Sequence, residues 1–125
     1  MLGEIDAKAM VAVKNLKKAK RFYEEVLGLK TADAGEECVL LCRSGRTEFL
    51  LYESQFAGTN QANALAWNVG RELTSLVEEL KTKDIKFEHY ELPGVTFADG
   101  IHRAGEKKLA WFKDPVGNIL HMVGR

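Results

Sequence analysis

Short runs of alternating apolar and polar residues are separated by two stretches with helical spacing. Ala9-Met10-Val11-Ala12-Val13 reads as a strand. Leu16, Ala19, Phe22, Tyr23, Val26 and Leu27 then recur at three- and four-residue intervals, the stripe of an amphipathic helix. Asn15 before it suits an N-cap, and Gly28 after it a C-terminal stop. Cys38 to Arg43 and Thr47 to Glu53 read as strands joined by a turn at Ser44-Gly45-Arg46, with both cysteines on one strand face. The same order then returns. Leu65 to Val69 forms a strand pattern, Leu73, Leu76, Val77 and Leu80 a helix stripe, and Trp111-Phe112 and Ile119 to Val123 close as strands. A β-α-β-β-β unit used twice predicts an α+β fold of pseudo-twofold design, with a cleft between curved sheets.

The connections carry less information. Residues 54–63 are polar and without period, which suits a crossing between the two halves. The stretch from Leu92 to Lys108 reads as irregular, with Asp99-Gly100 as a turn, and a connection of that length suits a lid or binding loop. Asp114-Pro115-Val116-Gly117-Asn118 reads as a tight turn before the last strand.

Composition mainly excludes. Eighteen basic residues balance eighteen acidic ones, so no whole-molecule field draws nucleic acid or an anionic membrane. No apolar run approaches the roughly 20 residues of a membrane span, and the N-terminus lacks a secretory signal pattern. Cys38 and Cys42 are too far apart along a strand to bond, and read as reduced thiols in a cytoplasmic protein. The lysines and arginine between Lys14 and Arg21 read as a solvated helix face.

Three segments together carry a resemblance: Val11-Ala12-Val13-Lys14-Asn15-Leu16, Phe22-Tyr23-Glu24-Glu25-Val26-Leu27-Gly28-Leu29 and Trp111-Phe112-Lys113-Asp114-Pro115-Val116-Gly117-Asn118-Ile119. In order and spacing the chain resembles the vicinal oxygen chelate superfamily of glyoxalases, bleomycin resistance proteins and extradiol dioxygenases, in an uncharacterised glyoxalase-like subgroup. The resemblance implies one glyoxalase-like domain over 1–125, with module one about 7–54, a crossover about 55–62 and module two about 63–125. It implies an incomplete barrel with a central cleft, and a homodimer.

The resemblance also implies a divalent metal held by four strand positions, which fall here at Lys8, Leu50 or Leu51, Asn63 or Ala64, and His121. Only His121 is an ordinary ligand, and a catalytic metal needs about three. No cofactor is therefore expected; a metal would require His121 with Glu48 or Glu53. Strand parity places Met10, Ala12, Leu50, Tyr52, Ala64, Ala66 and Asn68 on the cleft face, small and apolar with few polar handles. Phe56, Thr59 and Asn60 belong to the crossover loop that could meet a ligand, and His102 either closes over the cleft or is a surface histidine. His121 is either a base facing the ligand or a core histidine on a carbonyl, and Lys8 either an electrophile in the cleft or an exposed residue on a frayed strand. Trp67 reads as core beneath the second helix, whereas the pattern leaves the face of Trp111 open.

Two functions fit. One is metal-independent sequestration of a small apolar or aromatic molecule. The other is a glyoxalase-like lyase or isomerase acting on a small carbonyl compound, with His121 as base or metal ligand and Lys8 or a recruited metal as electrophile.

Overall fold

The computed structural model describes residues 1–125, and the chain forms two compact units, 1–58 and 59–125. Both combine helix and sheet, so the fold is α+β. No helix is long and apolar enough to cross a membrane.

In the first unit, β1 (Ala9–Val13) leads into α1 (Leu16–Arg21), then β2 (Lys30–Asp33), β3 (Val39–Ser44) and β4 (Thr47–Glu53). The sheet order is β1-β4-β3-β2, with β1 parallel to β4 and the other pairs antiparallel. The Asn15 side chain accepts the Lys18 N–H at 2.9 Å, as an N-cap should. The helical stripe continues past Arg21 as one wide π turn, Phe22–Val26, closed by Leu27 N–H on the Phe22 carbonyl at 3.2 Å. Gly28, at φ 75°, then ends it in the left-handed conformation that glycine adopts without strain. Alternation sends Val11, Val13, Leu40, Cys42, Phe49 and Leu51 inward, where they are buried with Ala19, Phe22 and Tyr23. Tyr23 meets Phe49 edge-on at 6.2 Å. Each fully buried valine, leucine or phenylalanine among them contributes on the order of 1.5–3 kcal/mol by leaving water.

One expectation fails here. Cys38 lies outside β3, exposed and at φ 62°, so it does not share a strand face with buried Cys42. The strand pattern was extended one residue too far, across a backbone position that no strand can hold.

The second unit runs β5 (Asn63–Gly70), α2 (Leu73–Lys81), β6 (Thr96–Ala98), β7 (Ile101–Ala104), β8 (Lys107–Lys113) and β9 (Ile119–Gly124). Its sheet order is β5-β9-β8-β7-β6, and β5 is parallel to β9. Leu73, Val77 and Leu80 of α2 are buried together with Ile101, Ala110, Phe112, Leu120 and Met122. The stretch read as irregular from Leu92 to Lys108 instead contains the β6–β7 hairpin, turning at Asp99-Gly100. Asp99 and Gly100 both have positive φ, 54° and 84°, as a two-residue hairpin turn requires. The strands are too short for their alternation to show in the sequence.

The turn between β8 and β9 is built around one carboxylate. Asp114 Oδ1 accepts N–H bonds from Val116, Gly117 and Asn118 at 3.1, 3.0 and 2.8 Å, and Oδ2 accepts the Asn118 side-chain amide at 2.8 Å. This closure fixes the register that sets Trp111 opposite His121.

Candidate functional site

In β8, Ala110 and Phe112 are buried beneath the helix, so Leu109 and Trp111 project from the other face of the sheet. In β9, Leu120 and Met122 are buried and His121 shares the Trp111 face, which the pattern alone left open for Trp111. The two rings stack, with centroids 4.5 Å apart and planes 18° from parallel. His121 Nδ1 donates to the Ala110 carbonyl at 3.0 Å, which leaves Nε2 as an acceptor. Burial lowers the imidazole pKa below its ordinary value; the Ala110 carbonyl opposes the shift and His102 adds to it. The Nδ1 side of His121 is thus satisfied by a backbone carbonyl.

Two further histidines join this face. After α2 the chain runs beside the end of β8, with Phe87 bridged to Phe112 and Glu88 N–H on the Trp111 carbonyl at 2.8 Å. That path delivers His89 and Tyr90 to the sheet. His102, on β7, is fully buried, and its Nε2 accepts the Tyr90 N–H at 3.0 Å. It meets Trp111 edge-on at 4.9 Å and Phe97 at 4.6 Å, and Phe97 in turn stacks on His89 at 4.1 Å. His102 is therefore neither a lid nor a surface residue. The reading failed because β7 was not recognised as a strand. Its Nδ1 is buried without a hydrogen bond. Burial is the largest influence and lowers the His102 pKa; His89 lowers it further, and Glu91 works the other way.

Tyr90 stands edge-on to Trp111 at 5.3 Å, and the Trp111 indole N–H donates to Asn63 Oδ1 at 3.1 Å. Around these rings lies an open cavity of about 400 Å³, lined by Gln61, Ala62, Asn63, Tyr90, Leu92, Trp111 and Ile119. Two aromatic rings, three aliphatic side chains and two amides are walls for a flat, largely apolar body with a few polar edges.

The residues expected to bind ligand are placed as follows. Met10, Ala12, Leu50 and Tyr52 share the uncovered face of the first sheet, since Met10 pairs with Leu50 and Ala12 with Tyr52. Phe56, Thr59 and Asn60 are exposed, and Asn60 Oδ1 accepts the Ala62 N–H. Ala66 pairs with His121 and Asn68 with Val123. Ala64 is the extra residue of a bulge between Asn63 and Leu65, so the simple alternation that grouped it with Ala66 is broken. None of these lines the 400 Å³ cavity, and His121 stands behind Trp111 without lining it. Tyr90 was out of reach of the pattern because it sits on an irregular segment.

The metal expectation can be tested on the donors. Nowhere does the structure gather three or more His, Cys, Asp or Glu side chains that could hold an ion. Glu48 is engaged by Arg43 at 2.7 Å and by Lys8 at 3.2 Å, and those contacts hold its carboxyl below the usual range. Lys8 is thus ion-paired to Glu48. Glu53 accepts the Leu16 N–H at 3.0 Å. His121 has only Nε2 to give. The residues present do not fit a divalent metal.

Both histidine pKa values are lowered by folding, so the unfolded chain binds protons more readily than the native one. Stability is full above the ordinary histidine value of about 6.5 and falls as pH drops through the native values. Urea titrations from pH 8 to 5 should show that decline. His102→Phe should flatten it; an unchanged slope would mean that His102 titrates freely.

The fold and the chemistry of this face define a class of two-unit α+β proteins with an aromatic-walled site. A family model described as the Glyoxalase/Bleomycin resistance protein/Dioxygenase superfamily matches residues 7–122, and the chain belongs to that superfamily. No curated protein sequence matches it significantly. Among solved structures it is similar to an integron cassette protein from the mobile metagenome of the Halifax Harbour sewage outfall, at 22% identity and TM-score 0.68, covering 97% of this chain and 100% of that one. It is similar to the fosfomycin resistance protein FosX from Listeria monocytogenes, at 11% identity and TM-score 0.72, covering 96% and 92%. It also resembles a lactoylglutathione lyase from Agrobacterium tumefaciens, at 19% identity and TM-score 0.64, covering 95% and 93%. At these identities the likeness concerns the fold.

Proposed function

We propose that the chain binds a small, flat, apolar or aromatic molecule without the help of a metal, holding it against Tyr90 and Trp111. The observation that carries this reading is the cavity itself, with Leu92 and Ile119 completing an apolar wall and Asn63 and Gln61 at its polar edge. A perpendicular ring pair presents one face and one edge to a guest, an arrangement worth about 0.5–1.5 kcal/mol per aromatic contact beyond area burial. Trp111 is held for this purpose by the His121 stack and the Asn63 hydrogen bond. Tyr90 is held through its backbone by His102. The superfamily includes proteins named for resistance to small antibiotics, a role in keeping with binding alone.

Calorimetric titration with indole and 2-naphthol as neutral flat probes tests the reading. Trp111→Ala is expected to weaken binding at least tenfold with the circular dichroism spectrum retained, whereas Tyr52→Ala, on the first sheet, should leave affinity unchanged. Equal affinity in Trp111→Ala, or loss in Tyr52→Ala instead, would place the ligand elsewhere.

A further inference from the structure

A row of charges crosses the first sheet at one end of the face that carries Leu50 and Tyr52. Lys30 of β2 pairs directly with Arg43 of β3, and Arg43 with Glu48 of β4, which Lys8 also reaches. Like charges directly opposite one another on neighbouring strands repel. The sole carboxylate of the row is divided, Oε2 to Arg43 and Oε1 to Lys8. Nothing is left for Lys30, which makes no ion pair. Three cations against one carboxylate leave the row with two uncompensated positive charges.

A cavity of about 350 Å³ opens beside Lys30 and Arg43, lined also by Gly28, Leu29, Ser44 and Gly45. Open space surrounds the positions where Gly28 and Gly45 would carry a side chain, so the backbone at both ends of the cavity is uncovered. We propose that this cavity is a binding site for a small phosphate monoester, with the phosphate between Lys30 and Arg43 and its organic part against Leu29. A phosphate monoester carries nearly two negative charges at neutral pH, which matches the surplus of the row. The Arg43 guanidinium has five N–H donors and uses one nitrogen on Glu48, so other donors remain for phosphate oxygens. Lys30 supplies the second charge as a flexible ammonium. The volume exceeds that of phosphate alone and leaves room for a body of a few carbons.

The test is calorimetry and thermal shift with glycerol phosphate and inorganic phosphate, in sodium chloride adjusted to constant ionic strength. Glycerol phosphate has no ring, so the aromatic groove does not compete for it. Both probes are expected to bind and raise Tm beyond the chloride control, with acetate at least tenfold weaker. Lys30→Gln should weaken glycerol phosphate about tenfold, whereas Lys14→Gln and Trp111→Ala should not change it. Lys30→Thr should raise Tm in the absence of phosphate, because it removes the repulsion from Arg43. A Tm shift no larger than that of chloride, acetate binding as tightly as phosphate, or undiminished affinity in Lys30→Gln would each overturn the proposal.

Discussion

Gly124→Ala is expected to lower the stability of the second unit by about 3 kcal/mol or more, the upper range for forcing atoms into a filled site. Gly124 faces Gly70 in the parallel β5–β9 ladder. A Cβ at residue 124 would overlap the Gly70 carbonyl oxygen and lie 3.2 Å from Leu73 Cβ. The obstacle is backbone, which cannot rotate aside as a side chain would. That same carbonyl accepts the Arg125 N–H at 2.9 Å, so moving it breaks a second contact. The strands must part, and β9 carries His121. Urea denaturation measures the loss, and the same variant should bind the flat probes less tightly. A change under about 0.5 kcal/mol, the level of an ordinary surface substitution, would mean that the two strands approach less closely than described.

Asp114→Ala should be nearly as damaging, by about 3 kcal/mol. Hydrogen bonds to a charged acceptor contribute roughly 1.5–3 kcal/mol each, though bonds sharing one carboxylate do not add fully. Three backbone N–H groups and the Asn118 amide lose their acceptor together. Both Asp114 and Asn118 are buried, so water does not readily replace what is lost. Asp114→Asn keeps one oxygen and should lose about half as much. If alanine and asparagine proved equivalent, the ring of hydrogen bonds would not be what holds the turn. Because the turn sets Trp111 opposite His121, the alanine variant should also disturb the indole environment.

These two positions show what was legible in the sequence. The turn at Asp114 was readable because proline, glycine and a short acid each have one natural place in it. Both helices were readable too, with the Asn15 cap, whereas the face of Trp111 was settled only by its pairing with His121. Gly124 gave no signal, since close approach of two backbones is a property of the pair. The π turn at Phe22–Val26 was equally silent, because it adds one residue without disturbing the apolar stripe.

The candidate site was legible only in part. His121 stood out by type and parity. His102 was noticed and misplaced, because the four residues of β7 are too few to declare a period. Tyr90 and His89 arrive on a segment whose only regular contacts are Phe87 to Phe112 and Glu88 to Trp111. Local propensity has no term for a contact made that far along the chain. What the sequence describes well is the sheet, and what it describes poorly is whatever the connecting segments lay across it.

The two thiols have unequal lives as a result of one backbone angle. Cys38 faces solvent, while Cys42 is walled in between β2 and β4 with its thiol pushed up to about 11 by burial and by Glu24. A thiol-directed dye therefore finds a single address on the folded chain, although Glu53 beside Cys38 raises that thiol's pKa too and slows the reaction at neutral pH. The second address appears only when the first sheet opens. The chain thus carries, four residues apart in its sequence, both an attachment point and a tamper seal.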